Sequence, residues 1–245
     1  MKILVCLGNV PDTTTKIKIV GDQPDLNNIQ WVINPWDELA LTRAMELKED
    51  AGNSIDKVSV ATVGLISSEP TMRKALAIGA DEAFRIDTEA KDAYFTALQL
   101  AQVAKDFDVV ITGIESSDYN GMSVGGMLAE DLSFTSVSAV SSLKIEGDNI
   151  HVTRDIDGGK ELVSVASPVV LTVQKGIAID PRIPAMRGIM MARRKPLNVV
   201  PALEVENLTE IVAFEMPESK GACKMVDADH VGELVELLRN EAKVI

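Results

Sequence analysis

Apolar and polar positions along the chain fall into short apolar runs, each followed by an amphipathic stretch. Residues 2–7 form an apolar run, the pattern of a central parallel strand buried on both faces. Gly8 and Pro11 break it. Residues 16–20 alternate polar and apolar, which predicts a half-exposed strand with residues 29–33 as its partner. Asn34 stands at an N-cap position before Pro35, and Trp36, Leu39, Ala40, Ala44 and Leu47 then recur at helical spacing. Three strand–helix units follow: strand 57–63 with helix 69–78, strand 83–86 with helix 91–105, and strand 108–112 with helix 121–132. The units share no motif, so they predict a wound sheet and not a solenoid.

From about residue 135 the helical period fades. Residues 136–145, 149–156, 161–166 and 169–174 read as a β-meander at the sheet edge, with hairpin turns at Asp148-Asn149 and Asp157-Gly158-Gly159. A short helix near 188–194, a strand-like piece at 210–214 and a closing helix over 228–242 complete the chain. The fold class expected is α/β: a mostly parallel, doubly wound, Rossmann-like sheet with an appended β-meander and an extended C-terminal arm. The division expected is a nucleotide-binding domain over 1–200 and an arm over 201–245. That arm is polar and would bury little surface against itself, so it is expected to pack on a partner.

Composition narrows the function. Hydrophobic residues make up 46% and charged residues 25%, ordinary for a globular domain. With 24 Lys and Arg against 37 Asp and Glu, the net charge is −13, which argues against nucleic acid as partner. No apolar run approaches the ~18 residues of a membrane span, and Met1-Lys2 leads straight into a strand, so no membrane insertion and a cytoplasmic location are expected. Cys6 and Cys223 have no metal or redox spacing, and His151 and His230 are far apart in sequence.

The informative stretch is 109–130. An apolar run ends at Gly113, passes through small and polar residues, and enters Gly121-Met122-Ser123-Val124-Gly125-Gly126. Free N–H groups and the positive dipole end of the following helix suit an anion there. The stretch matches neither a P-loop nor G-x-G-x-x-G, and a tight turn with small residues for packing fits the pattern equally well. Asp118 fits a general base or a ligand-binding acid, with no second carboxylate beside it. A cofactor site without a catalytic constellation points to a carrier or binding protein, not to an enzyme with substrate-turnover residues of its own.

Several further motifs, in order, carry a resemblance. They are Val10-Pro11-Asp12, Asn34-Pro35-Trp36-Asp37-Glu38, residues 73–81 (RKALAIGAD), Gly113 with Asp118, residues 153–159 (TRDIDGG), Pro181-Arg182, Arg187-Gly188-Ile189-Met190 and Lys195-Pro196. Together they resemble the beta subunit of electron transfer flavoprotein over nearly the whole chain. The resemblance implies a heterodimer whose alpha subunit carries the redox-active FAD. It would take electrons from acyl-CoA or similar dehydrogenases and pass them to a quinone oxidoreductase.

It further implies AMP, or in the bifurcating branch a second FAD, on Leu7, Gly8, Asn9, Asn34, Asp37, Val63, Gly113, Asp118, Asn120, Gly121, Met122, Ser123 and Val124. A dehydrogenase-docking loop over 181–187 would use Ile183, Met186 and Arg187, with Met186 where the family usually has Leu. Thr13 and Asp155 would face the alpha subunit and its flavin. Gly8-Asn9 and Thr13 depart from the common family pattern; Tyr119 and Met122 would crowd a second isoalloxazine, which favours AMP, whereas Val10-Pro11-Asp12-Thr13 leans toward the bifurcating branch. A reading of another class is a stand-alone ATP-binding regulator of the universal-stress type, which has a similar sheet and Gly-rich loop.

Overall fold

The computed structural model describes residues 1–147, 149–219 and 221–245. The elements, in chain order, are β1 (Lys2–Cys6), β2 (Asn9–Pro11), β3 (Ile19–Val20), β4 (Gln23–Pro24), β5 (Trp31–Ile33), α1 (Pro35–Glu49), β6 (Lys57–Val63), α2 (Glu69–Ile78), β7 (Glu82–Ile86) and α3 (Ala93–Ala104). After these come β8 (Val109–Gly113), α4 (Val124–Leu132), β9 (Thr135–Glu146), β10 (Asn149–Ile156), β11 (Gly159–Val165), β12 (Val169–Val173), α5 (Met186–Ala192), β13 (Leu197–Val200) and α6 (Val231–Asn240).

Contacts divide the chain into two compact units, Met1–Ile17 with Leu26–Val212, and Lys18–Asp25 with Ala213–Ile245. The second holds the β3–β4 hairpin and α6, with Lys224 paired to Glu241.

In the first unit nine strands form one sheet in the order β11-β10-β9-β12-β8-β1-β6-β7-β13. From β9 to β13 all neighbours are parallel, and β9, β10 and β11 form an antiparallel meander at one edge. Because side chains alternate along a strand, Ile3 and Val5 enter a core with α1, α2 and α5, while Leu4 and Cys6 enter a second core with α3 and α4. This doubly wound layering explains why β1 had to be apolar at every position between its ends.

From β1 the chain winds one way through β6 to β7, then α3 carries it back to β8 on the other flank of β1. The winding therefore reverses between β1 and β8. The crevice outside their carboxyl ends is where open α/β sheets accommodate ligands.

Four expectations are corrected. Residues 169–173 are not the last strand of the meander: β12 lies between β9 and β8, parallel to both, and all its residues are buried. Residues 16–20 do not pair with 29–33; β2 pairs with β5, and β3 pairs with β4. Residues 210–214 form no strand, and β13 adds an unexpected parallel strand beside β7. The helix expected over 121–132 starts at Val124, leaving Gly121 to Ser123 in the loop before it. The turn expected at Asp148-Asn149 involves Asp148, which lies outside the described residues.

The basic residues around 193–195 have a structural use. Lys195 Nζ donates to the carbonyls of Leu76, Gly79 and Ala80 at 3.0, 3.1 and 2.6 Å, capping the C-terminus of α2. In return Arg73 of α2 donates to the carbonyls of Ala192 and Lys195, both at 2.8 Å, at the end of α5. The two helices approach closely at Gly188, where a Cβ would collide with the Ala77 carbonyl oxygen. That oxygen belongs to a helix backbone and cannot rotate away. Gly188→Ala is therefore expected to lower stability by about 1–3 kcal/mol, the ordinary cost of overpacking, read as a lower urea midpoint at unchanged slope. A midpoint equal to that of the unmodified chain would show that α5 shifts freely on α2.

Candidate functional site

At the β1–β8 crevice the N-terminal turn of α1 joins the two strand ends. The Asp37 carboxylate accepts from Gly8 N–H through Oδ2 and from Gly113 N–H through Oδ1, each at 2.7 Å. Asn34 stands at the N-cap position but makes no side-chain cap bond. Its amide reaches the next loop instead: Nδ2 donates to Glu115 O at 2.8 Å, and Oδ1 accepts from Ser117 N–H at 3.1 Å. Gly113 is needed for this geometry, because a Cβ there would lie 2.5 Å from Asp37 Oδ1 and 2.7 Å from Trp36 Cβ.

These bonds form one wall of a cavity of about 360 Å³. Of the residues expected to bind cofactor, Leu7, Gly8, Asn9, Asn34, Asp37, Val63, Gly113, Asp118, Gly121, Met122, Ser123 and Val124 line it. Asn120 is not in the lining; its N–H donates to Ser116 O and its φ of +55° turns the loop. The Asn9 side chain accepts from Thr71 Oγ1 at 2.6 Å, fixing the loop after β1 to α2.

The wall opposite is formed by residues that sequence reasoning missed: Ala90, Lys91, Asp92, Ala93 and Thr96 at the start of α3, with Ile211 beside them. Asp92 caps α3 by accepting from Phe95 N–H at 2.8 Å. Its other oxygen accepts from the N–H groups of Leu208 and Thr209 at 2.5 and 2.8 Å. Among the described residues, Lys91 is the one basic residue of the lining, with Nζ 4.8 Å from the Phe95 ring centroid. In the sequence, Lys91-Asp92-Ala93 looks like any helix start, and only the crossover of α3 brings it to β1.

The loop from β8 to α4 is rich in donors. Asn120 and Met122 both adopt left-handed φ, +55° and +51°, and Ser123 returns to the right-handed region. Such alternation turns consecutive N–H groups into a common concavity. Among the described residues, the N–H groups of Gly121, Met122 and Ser123 have no protein acceptor. A Met in this conformation costs on the order of 1 kcal/mol or more, a strain that marks functional loops.

Thr13 and Asp155 lie outside the lining. Thr13 is exposed in the turn closed by Asp12, and Asp155 is engaged by Ser141, Gln174 and Lys160. Ile183 (87% exposed), Met186 (74%) and Arg187 stand out on the surface at the start of α5. Arg182 fixes the base of this segment by a two-pronged ion pair with Glu49. Among the described residues, no group of three or more His, Cys, Asp or Glu could hold a metal ion, and no helix is long and apolar enough to cross a membrane.

With this geometry in place, comparison with known proteins is decisive. The family model described as "Electron transfer flavoprotein domain" matches residues 26–205. The chain belongs to the electron transfer flavoprotein beta-subunit family. It is similar to the electron transfer flavoprotein subunit beta of Bacillus subtilis, 34% identical over 264 residues with all of both chains covered. It is 31% identical over 252 residues to that of Bradyrhizobium diazoefficiens, again over the whole of both. The mitochondrial subunit beta of Arabidopsis thaliana is 29% identical over 257 residues, also end to end. In this beta-subunit chain the motif Asn34-Pro35-Trp36-Asp37 thus has a physical role, closing the crevice between β1 and β8.

Burial dominates the electrostatics of Asp37. Desolvation pushes its carboxyl up from the ordinary 3.8 to about 6, against the N–H groups of Gly8 and Gly113 and the Asn34 amide, while Asp118 adds a small upward push. Burial first, and Asp37 second, push the Cys6 thiol up, so it stays protonated. At Asp92 partial desolvation is outweighed by the Phe95, Thr209 and Leu208 N–H groups, which hold it below its ordinary value. Because Asp37 is raised on folding, the unfolded chain loses this proton first. Its contribution to stability is therefore full below pH about 4 and declines as pH rises through about 6. In urea unfolding between pH 4 and 7, the unmodified chain should lose on the order of 3 kcal/mol relative to Asp37→Asn over this window. Parallel profiles would show that Asp37 is not buried as described.

Proposed function

We propose that this chain is the beta half of a heterodimeric electron carrier, binding AMP in the β1–β8 crevice and enclosing one side of an alpha subunit's FAD. The observation that carries the nucleotide reading is the run of N–H groups at Gly121, Met122 and Ser123 without a protein acceptor, at a cavity where Asp37 is committed to backbone while Glu115 and Asp118 also line the wall. An anion with several acceptor oxygens suits those donors, and a cavity of about 360 Å³ is at the small end of ligand sites, suited to a mononucleotide. Tyr119 and Met122 line the cavity and would crowd a second FAD there, which supports AMP. Leu7, Gly8 and Val63 would flank the adenine, and residues 121–124 would hold the phosphate, with Lys91 supplying the nearby positive charge.

When bound, the FAD supplies the electron chemistry. This chain orients and shields the cofactor and presents docking surface. Thr13 and Asp155 are assigned to the side facing the alpha subunit, and the arm over 201–245 to packing on it. Ile183, Met186 and Arg187 are assigned to dehydrogenase docking, with the Arg73–Lys195 exchange keeping α5 in place. Electrons would enter from acyl-CoA or similar dehydrogenases and leave to a quinone oxidoreductase. A cytoplasmic location is part of the same proposal.

Acid extraction of the purified heterodimer, followed by chromatography, is expected to give one FAD and one AMP per pair; two FAD and no AMP would assign the crevice to a second flavin. Met186→Ala is expected to slow reduction by the dehydrogenase about tenfold or more while leaving the flavin spectrum unchanged, the behaviour of an anchor residue. Unchanged reduction kinetics would remove Met186 from the docking surface.

A further inference from the structure

Thr112 stands at the carboxyl end of β8, one residue before Gly113. It is 5% exposed, and its hydroxyl is one of two buried side-chain polar atoms without a partner among the described residues. It belongs to the cavity lining. Across the sheet it is in register with Thr172 of β12, and above both passes the first turn of α4. A Cβ at Gly125 would collide with Thr172 Cγ2 and lie 2.8 Å from Thr112 Oγ1, so the hydroxyl is directed at the opening turn of that helix.

A buried hydroxyl without a partner is costly, and Val would have the same shape without that cost. In a strand it lacks the nearby i−4 carbonyl that satisfies threonines in helices. Gly125 lies in the opening turn of α4, whose first N–H groups also lack protein acceptors, as do those of residues 121–123 in the loop before it. All of them can donate, and they stand at the end of α4 where the helix dipole is positive. A neutral base or a sugar would satisfy one or two of them; a tetrahedral dianion presents enough acceptor oxygens for the whole set.

We infer that the Thr112 hydroxyl donates to a phosphate oxygen of the bound ligand, so that the floor of the crevice selects a phosphomonoester. This rests on the nucleotide reading above and extends it from the loop to the strand beneath. Gly125 then has a definite purpose: without a side chain there, helix and hydroxyl approach one anion together.

The test uses the heterodimer stripped of nucleotide, with AMP titrated calorimetrically into the unmodified protein, Thr112→Val and Thr112→Ser. Thr112→Val is expected to bind AMP about tenfold more weakly, or about 1.4 kcal/mol. Thr112→Ser should stay within about twofold, and the melting temperature of stripped Thr112→Val should equal or exceed that of the unmodified protein. Thr112→Ala, which removes bulk beside Gly125, serves as a second variant and should show the same loss of affinity. Equal AMP affinity in the unmodified protein, Thr112→Val and Thr112→Ala would overturn the assignment of Thr112 alone. An unmodified protein that binds no AMP would overturn the nucleotide reading beneath it.

Discussion

One carboxylate closes the crevice on which the rest depends. Asp37 takes the N–H groups of Gly8 and Gly113 on its two oxygens, and so fixes the ends of two neighbouring parallel strands to the start of α1. In a parallel sheet those end groups have no ladder partner, and the reversal of winding between β1 and β8 leaves no crossover to cover them. A buried acid costs free energy, as the upward push on Asp37 shows. What it gives is position: both loops leave the sheet at fixed angles, and Asn34 extends the same control to residues 115–117. Gly113 follows as a requirement, since any side chain there would occupy the place of the Asp37 oxygen.

With the Asp37 carboxylate committed to backbone, the loop from β8 to α4 offers its donors to a ligand, in a crevice that Glu115 and Asp118 also line. The left-handed turns at Asn120 and Met122, the start of α4 and the buried Thr112 hydroxyl contribute from one side, and the start of α3 with Lys91 from the other. A chain of net charge −13 thus concentrates hydrogen-bond donors where an anion would enter. The far surface obeys a different logic. There α5 is held to α2 by exchanged caps, Lys195 on one helix end and Arg73 on the other, and the exposed Ile183 and Met186 precede or open that helix. The crevice loops and the exposed segment before α5 are thus both tied to α1 and α2, the first through Asp37 and Thr71, the second through Glu49 and Arg73.

Periodicity made the central strands legible, because a strand buried on both faces must be apolar throughout, as residues 3–6 and 109–111 are. The Gly-rich loop was legible for a similar reason, since close approach demands small residues. β12 carried the same apolar run but followed two hairpins, and nearness in sequence suggested a meander where the sheet in fact inserts it between β9 and β8. β13 was too short, and too exposed at its centre, to have a period. Asn34 looked like a cap, and nothing local shows that its amide serves a loop more than eighty residues on, at Ser117. The same limit hid Asp92 and Thr112: what matters in each is the partner that tertiary structure brings or withholds.

The most direct test of the crevice as a phosphate-binding site is hydrogen exchange on the heterodimer, loaded with AMP and stripped of it. Peptides covering residues 119–126 should exchange markedly faster after stripping, because the N–H groups of 121–123 and of the first turn of α4 lose the phosphate as acceptor, while Gly8 and Gly113 stay protected by Asp37 in both states. Equal exchange of residues 119–126 in the loaded and stripped protein, with AMP protection appearing elsewhere, would contradict the account.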